Sequence, residues 1–182
     1  MSNSNLYRDC CHAISTGQFE FASTILLEIM SEKPDDFEAK LLLCRLLIDS
    51  GKPAFAYPIA MEVVRSQRSW RTLMMLGAVE QHLQEPKKAV QTLKEAMALF
   101  PKVVAKQHMA TMYRLLGNAC VLNYDFTGAE NYSKLSLEIE SHHQAHTTYA
   151  YAKFHKRQWK EGFYHYKYCL LYTSDAADEP MR

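Results

Sequence analysis

The chain has 182 residues, 48% of them hydrophobic, with 21 basic side chains against 20 acidic ones and a formal charge of +1. That is enough chain to bury one core. It is too apolar for disorder and carries no global field for nucleic acid or anionic lipid. Six Gly and six Pro exclude collagen-like and linker-like chains, and no apolar run approaches the roughly 20 residues of a membrane span. The N-terminal MSNSNLYRDCC lacks the basic-then-apolar layout of a signal peptide, so the chain reads as soluble and cytoplasmic.

Taken in order, the chain repeats one scheme. Residues 3–36 hold Cys10 and, twelve positions later, Ala22, with Gly17 between them and Pro34 closing the segment. Residues 37–69 repeat it with Cys44, Gly51 and Ala56. Residues 70–102 carry Gly77, Ala89 and a closing Pro101; residues 110–142 carry Gly117 and Ala129; residues 143–168 carry Ala150 and Gly162. An aromatic or a proline stands three residues before each second small residue: Phe19, Pro53, Pro86, Phe126 and Trp159. The first small residues are 34, 33, 40 and 33 positions apart. Stretches such as IDSGKPAFA and LNYDFTGAE read as a helix, a tight turn and a new helix start. The long step of 40 centres on PKVVAKQHMATMYR, which predicts extra helical turns after the third repeat.

Two antiparallel helices approach closely only where both carry small side chains, so each small pair marks a crossing. One such hairpin cannot hide its apolar face alone, and five stacked hairpins make a continuous core. The pattern predicts an all-α chain of about ten helices with no sheet. The period and the small–twelve–small spacing resemble the tetratricopeptide repeat, a helix–turn–helix unit of 34 residues. LGAVEQHLQEPKKAVQTLKEAMALFP, residues 76–101, fits best, whereas Arg68 and Ser141 replace closing prolines and Gly162 replaces alanine. The resemblance covers residues 3 to about 168 and implies a right-handed superhelical solenoid.

Residues 169–179, CLLYTSDAADE, resemble the translation of a transposase-end adapter from sequencing libraries. The expectation is a native array over 1–168, truncated inside its fifth repeat, with a foreign tail at 169–182. Removing Asp175, Asp178, Glu179 and Arg182 from the count leaves a charge of +3.

No phosphate loop, nucleophile elbow or metalloprotease motif occurs, so neither a catalytic residue nor a cofactor is expected. Asp35 and Asp36 suit the start of a helix. The cysteines at 10, 11, 44, 120 and 169 are odd in number and lack metal-ligand spacing. They read as small hydrophobes in a reducing compartment. His142, His143 and His146 invite a metal, since His142 and His146 are four apart, but no Asp, Glu or Cys completes a set. They read as a solvated surface patch. In KFHKRQWK, Lys153, Lys156, Arg157 and Lys160 interleave with Phe154 and Trp159, which superficially suits RNA. Helical spacing instead assigns the rings to packing and the lysines to the wet face.

The resemblance implies that the first helix of each repeat lines a concave groove. Carried onto this register, its facing positions are Tyr7 and Cys11; Leu41, Arg45 and Asp49; Met74, Ala78 and His82; Arg114, Asn118 and Leu122; Thr147, Tyr151, Phe154 and His155. Leu41, Ala78 and Leu122 read as packing residues. The candidate contacts are Tyr7, Arg45, Met74, His82, Arg114, Asn118, Tyr151 and His155, whose aromatic, Met and Arg character suits a binding hot spot. Arg114 and Asn118 also reproduce the first-repeat spacing of arrays that grip the C-terminal carboxylate of heat-shock chaperones, but Thr148 stands where the next Asn belongs.

The leading expectation is a non-catalytic scaffold that holds a peptide or protein segment, with no nucleic acid or membrane as partner. A second reading comes from Trp159, Gly162, Phe163 and Tyr166, which resemble the last repeat preceding a bacterial or phage glycosyltransferase domain. A secretion or chaperone adaptor of three repeats fits less well.

Overall fold

The computed structural model describes residues 3–177, with side chains described for residues 5–168. The described residues form ten α-helices and no strand. They fall into two compact units, residues 1–85 and 86–182.

The first unit contains α1 (Asn3–Ser15), α2 (Phe19–Glu32), α3 (Phe37–Asp49), α4 (Pro53–Ser66) and α5 (Trp70–His82). Consecutive helices pack as hairpins, and α3 also lies against both α1 and α5. The first helices of the repeats thus form a layer. Cys10, Ala13, Ala22, Ile25, Leu26, Ile29 and Ala39 are buried together at the meeting of α1, α2 and α3.

The small pairs meet as the twelve-residue spacing predicts. The Cys10 thiol points at the Ala22 carbonyl at 3.9 Å, and the Cys44 thiol at the Ala56 carbonyl at 3.7 Å. Burial pushes these thiols up, to about 11 and about 12, so they remain protonated and behave as small hydrophobes. Cys120 is equally buried, Cys11 is exposed, and all four are free. The side chain of Cys169 lies outside the described residues.

The second unit contains α6 (Pro86–Ala98), α7 (Lys106–Leu122), α8 (Phe126–Ile139), α9 (His143–His155) and α10 (Trp159–Ala177). Here α9 is enclosed by α7, α8 and α10, which accounts for its burial on nearly every side. The long step before this repeat is only partly helical. The α7 helix has 17 residues where the other first helices have 13, so one extra turn is present. The remaining excess is the irregular segment 99–105, which corrects the expectation of continuous helical turns.

Helix starts follow local chemistry. The Asp36 carboxylate accepts from the Ala39 amide at 3.1 Å, and Asp125 from the Gly128 amide at 2.9 Å. Ser69 and Thr72 form a reciprocal capping box, and prolines open α4 and α6 where no amide is required.

The turns within hairpins share one device. Gly17 and Gly51 have φ of 74° and 75°, and the equivalent Gln84, Tyr124 and Arg157 have φ of 60°, 60° and 59°. In each case the next amide reaches back five residues, as Gln18 does to Ala13 at 2.8 Å and Gln158 to Lys153 at 2.9 Å. This is the left-handed closure that glycine adopts at least cost. Replacing Gln84 by Gly should therefore stabilise the chain by about 1 kcal/mol. Gly17→Ala should cost about as much, since no atom lies within 4 Å to add a packing effect. Urea midpoints measure both; an unchanged midpoint for both contradicts the conformational account.

Candidate functional site

On the first-helix layer of the first unit, Arg45 is exposed and forms an i,i+4 pair with Asp49 at 2.6 Å. Such a pair is worth only about 0.3–0.5 kcal/mol and leaves the guanidinium available to a ligand. His82 is exposed, Met74 half-buried and Leu41 buried. Tyr7 packs against the core, and its hydroxyl donates to Asp36. Burial first and Asp36 second push that phenol up to about 12.

In the second unit, Asn118, Tyr151 and His155 are exposed and Arg114 is half-buried. The Arg114 guanidinium donates to the Gln144 side chain, linking α7 to α9. The His155 ring stacks on Phe126, with centroids 3.7 Å apart and planes 11° from parallel. Thr148 is buried and donates to the Gln144 carbonyl at 2.9 Å, so it takes no part in this face. The candidates thus divide between the units, with Tyr7, Arg45, Met74 and His82 on one and Arg114, Asn118, Tyr151 and His155 on the other.

Three expectations are corrected. Lys153 is not on the wet face: it is 6% exposed and bonds Glu130 at 2.6 Å and Glu161 at 3.1 Å. Its ammonium also lies over the Tyr149 ring, 5.0 Å from the centroid, and Tyr149 donates its hydroxyl to Glu161 at 2.7 Å. Burial alone would lower this lysine, but Glu130, Glu161 and Tyr149 more than reverse that and hold it above the ordinary lysine range. Lys156 completes the network on Glu130 at 2.5 Å. Conversely, Trp159 does not pack inside; it is 55% exposed.

The histidines are not a solvated patch either. His146 is 8% exposed, its Nδ1 sits 2.8 Å from Nδ1 of His165, and its Nε2 is 3.0 Å from the Ser141 hydroxyl. His142 caps α9 instead, accepting from the Gln144 amide at 3.2 Å. Among the described residues no three His, Cys, Asp or Glu side chains come together as a metal site.

Burial, and for His146 the charge of His165, hold both paired imidazoles below their usual value. His142 and His143 are held down by burial and then by Arg114. The folded chain therefore resists protons that the unfolded chain accepts below about pH 6.5, so stability falls as pH drops from there. The urea midpoint should be lower at pH 5.0 than at pH 7.5, and His165→Gln should shrink the difference. Equal midpoints at both pH values in the unsubstituted chain would contradict the pairing.

No protein-family profile matches the chain. It is 24% identical over 127 residues to mouse tetratricopeptide repeat protein 21B, an alignment spanning 69% of this chain and 9% of that protein. Among solved structures, it is similar to the thermophilic tetratricopeptide-repeat protein TTC0263 of Thermus thermophilus, with a TM-score of 0.77 and 20% identity. That match covers 91% of this chain and 89% of the other. A second likeness is to Pseudomonas aeruginosa pilF, with a TM-score of 0.72, 17% identity, and coverage of 91% and 74%. The fold is all-α and tetratricopeptide-repeat-like.

Proposed function

We propose that the chain is a non-catalytic interaction module that holds a peptide or protein segment against its first-helix faces. The observation that carries this reading is the side-by-side packing of α7 and α9, tied by Arg114 and Gln144, with Asn118, Tyr151 and His155 exposed on them. Parallel helices with alternating polar and aromatic side chains offer hydrogen bonds beside apolar surface, and a guanidinium adds a fork that fits carboxylates. Within the first unit taken by itself, Arg45 and His82 offer similar chemistry on the layer formed by α1, α3 and α5. Among the described residues no helix is long and apolar enough to cross a membrane; a cytoplasmic protein partner is the setting we assign.

Selection of a displayed random-peptide library on the 182-residue chain tests this reading. Selected peptides should lose at least tenfold in affinity when Arg114, Asn118 and Tyr151 are together changed to Ala, with helicity unchanged. Equal affinity for the triple variant would remove these residues from the site.

A further inference from the structure

We infer that the cleft between α9 and α10 docks a peptide segment carrying one bulky apolar side chain flanked by carboxylates. This rests on the reading of the chain as a protein-binding module, and extends the face of α7 and α9 from Tyr151 and His155 across to α10. The cleft has a volume of about 520 Å³, and six of its seven lining residues are aromatic, counting His155; the seventh is Arg157.

Its walls are ready-made. The Phe154 ring lies edge-on to Phe163 at 5.0 Å and stacks on Trp159 at 5.9 Å, while Phe163 is 62% exposed. Exposed rings held in place by other rings lose little freedom on binding, so an inserted apolar side chain gains contact at low entropic cost.

The charge lining the cleft has one sign, that of Arg157. No carboxylate lines it. The nearby Glu130 and Glu161 are already engaged by Lys153 and Lys156. Arg157 and Lys160, at the turn and on the first turn of α10, have no ion-pair partner among the described residues. Arg157 also holds a left-handed backbone, φ 59°, which throws it to the rim of both this cleft and the neighbouring one beyond Trp159. Two unpaired cations beside an aromatic cleft complement an acidic segment with an apolar anchor. A polynucleotide fits less well, since the rings pack against one another rather than presenting successive free faces for base stacking.

Calorimetric titration of the 182-residue chain decides the matter. The probes are three blocked hexapeptides: Glu-Glu-Ser-Phe-Glu-Glu, Lys-Lys-Ser-Phe-Lys-Lys and Glu-Glu-Ser-Ser-Glu-Glu. The first should bind at least tenfold more tightly than either other, with its advantage over the lysine peptide shrinking in high salt. Arg157→Glu with Lys160→Glu should reverse the charge preference, and Phe163→Ser should weaken the first peptide tenfold. Both variants alter exposed side chains, and circular dichroism checks that they fold. Equal binding of all three peptides, or binding of none, overturns the inference. So does displacement of the first peptide by a twelve-nucleotide oligouridylate, or loss of the cleft through self-association of the chain. If instead Arg114→Ala with Asn118→Ala abolishes binding while the cleft variants do not, the peptide sits on the α7–α9 face. That result overturns the cleft and leaves the proposed function standing.

Discussion

Lys153→Met should lower the unfolding free energy by about 3 kcal/mol, the largest cost expected of any single charge in the chain. Its ammonium is buried among α8, α9 and α10, and it neutralises Glu130 and Glu161 at once. Breaking a buried pair strands the partner charge, typically at about 3–5 kcal/mol. The lower end applies because Glu130 retains Lys156 and Glu161 is partly exposed to water. A control separates charge from shape: Lys153→Met combined with Glu130→Gln and Glu161→Gln should recover most of the loss. If the single variant unfolds at the same urea concentration as the unsubstituted chain, the network does not stabilise the α8–α9–α10 packing.

Gly117→Leu should cost about 3 kcal/mol for a different reason, the contact distance between three helices. A Cβ at position 117 would stand 3.3 Å from the Ser133 backbone nitrogen, 3.3 Å from the Thr148 methyl and 3.6 Å from the Ala129 carbonyl. Two of those neighbours are backbone of α8 and cannot rotate away. A leucine adds three further carbons, so α7 must shift relative to both α8 and α9, an overpacking cost of about 1–3 kcal/mol or more. Gly117→Ala should cost much less, because only a methyl must be absorbed. Thermal unfolding of the pair gives the ordering, and a leucine variant as stable as the alanine one contradicts the crossing assigned to Gly117.

The crossings were readable because they depend on residue size alone, and size is written in the sequence. Cys10 with Ala22 and Cys44 with Ala56 meet where the twelve-residue spacing puts them. The hairpin turns were readable only at Gly17 and Gly51. Gln84, Tyr124 and Arg157 occupy the same left-handed position without the glycine that announces it. Their place in the repeat was the available signal. The extra turn of α7 was visible as surplus length, but its division between helix and the loop at 99–105 depends on capping and packing that no spacing encodes.

The candidate site was legible in position and not in state. The register put Arg114 and Asn118 on one helix and Tyr151 and His155 on the next, but it could not show Gln144 reaching across to Arg114. Spacing from Phe154 and Trp159 puts Lys153 on the wet face, and the want of a completing ligand leaves His146 to solvent. Helical phase from Ala150 held the opposite information, since His146, Ala150 and Lys153 are four and three residues apart and share the buried face. What phase could not supply is the partners, because Glu130 and His165 lie 23 and 19 residues away along the chain.

Site-directed photocrosslinking of a library-selected peptide tests the central claim most directly. A benzophenone side chain at Asn118, on the first-helix face of the second unit, should capture the peptide in high yield. The same group at the exposed Lys134, on α8, should capture little. Capture at position 134 without capture at 118 would contradict a binding face built from the first helices.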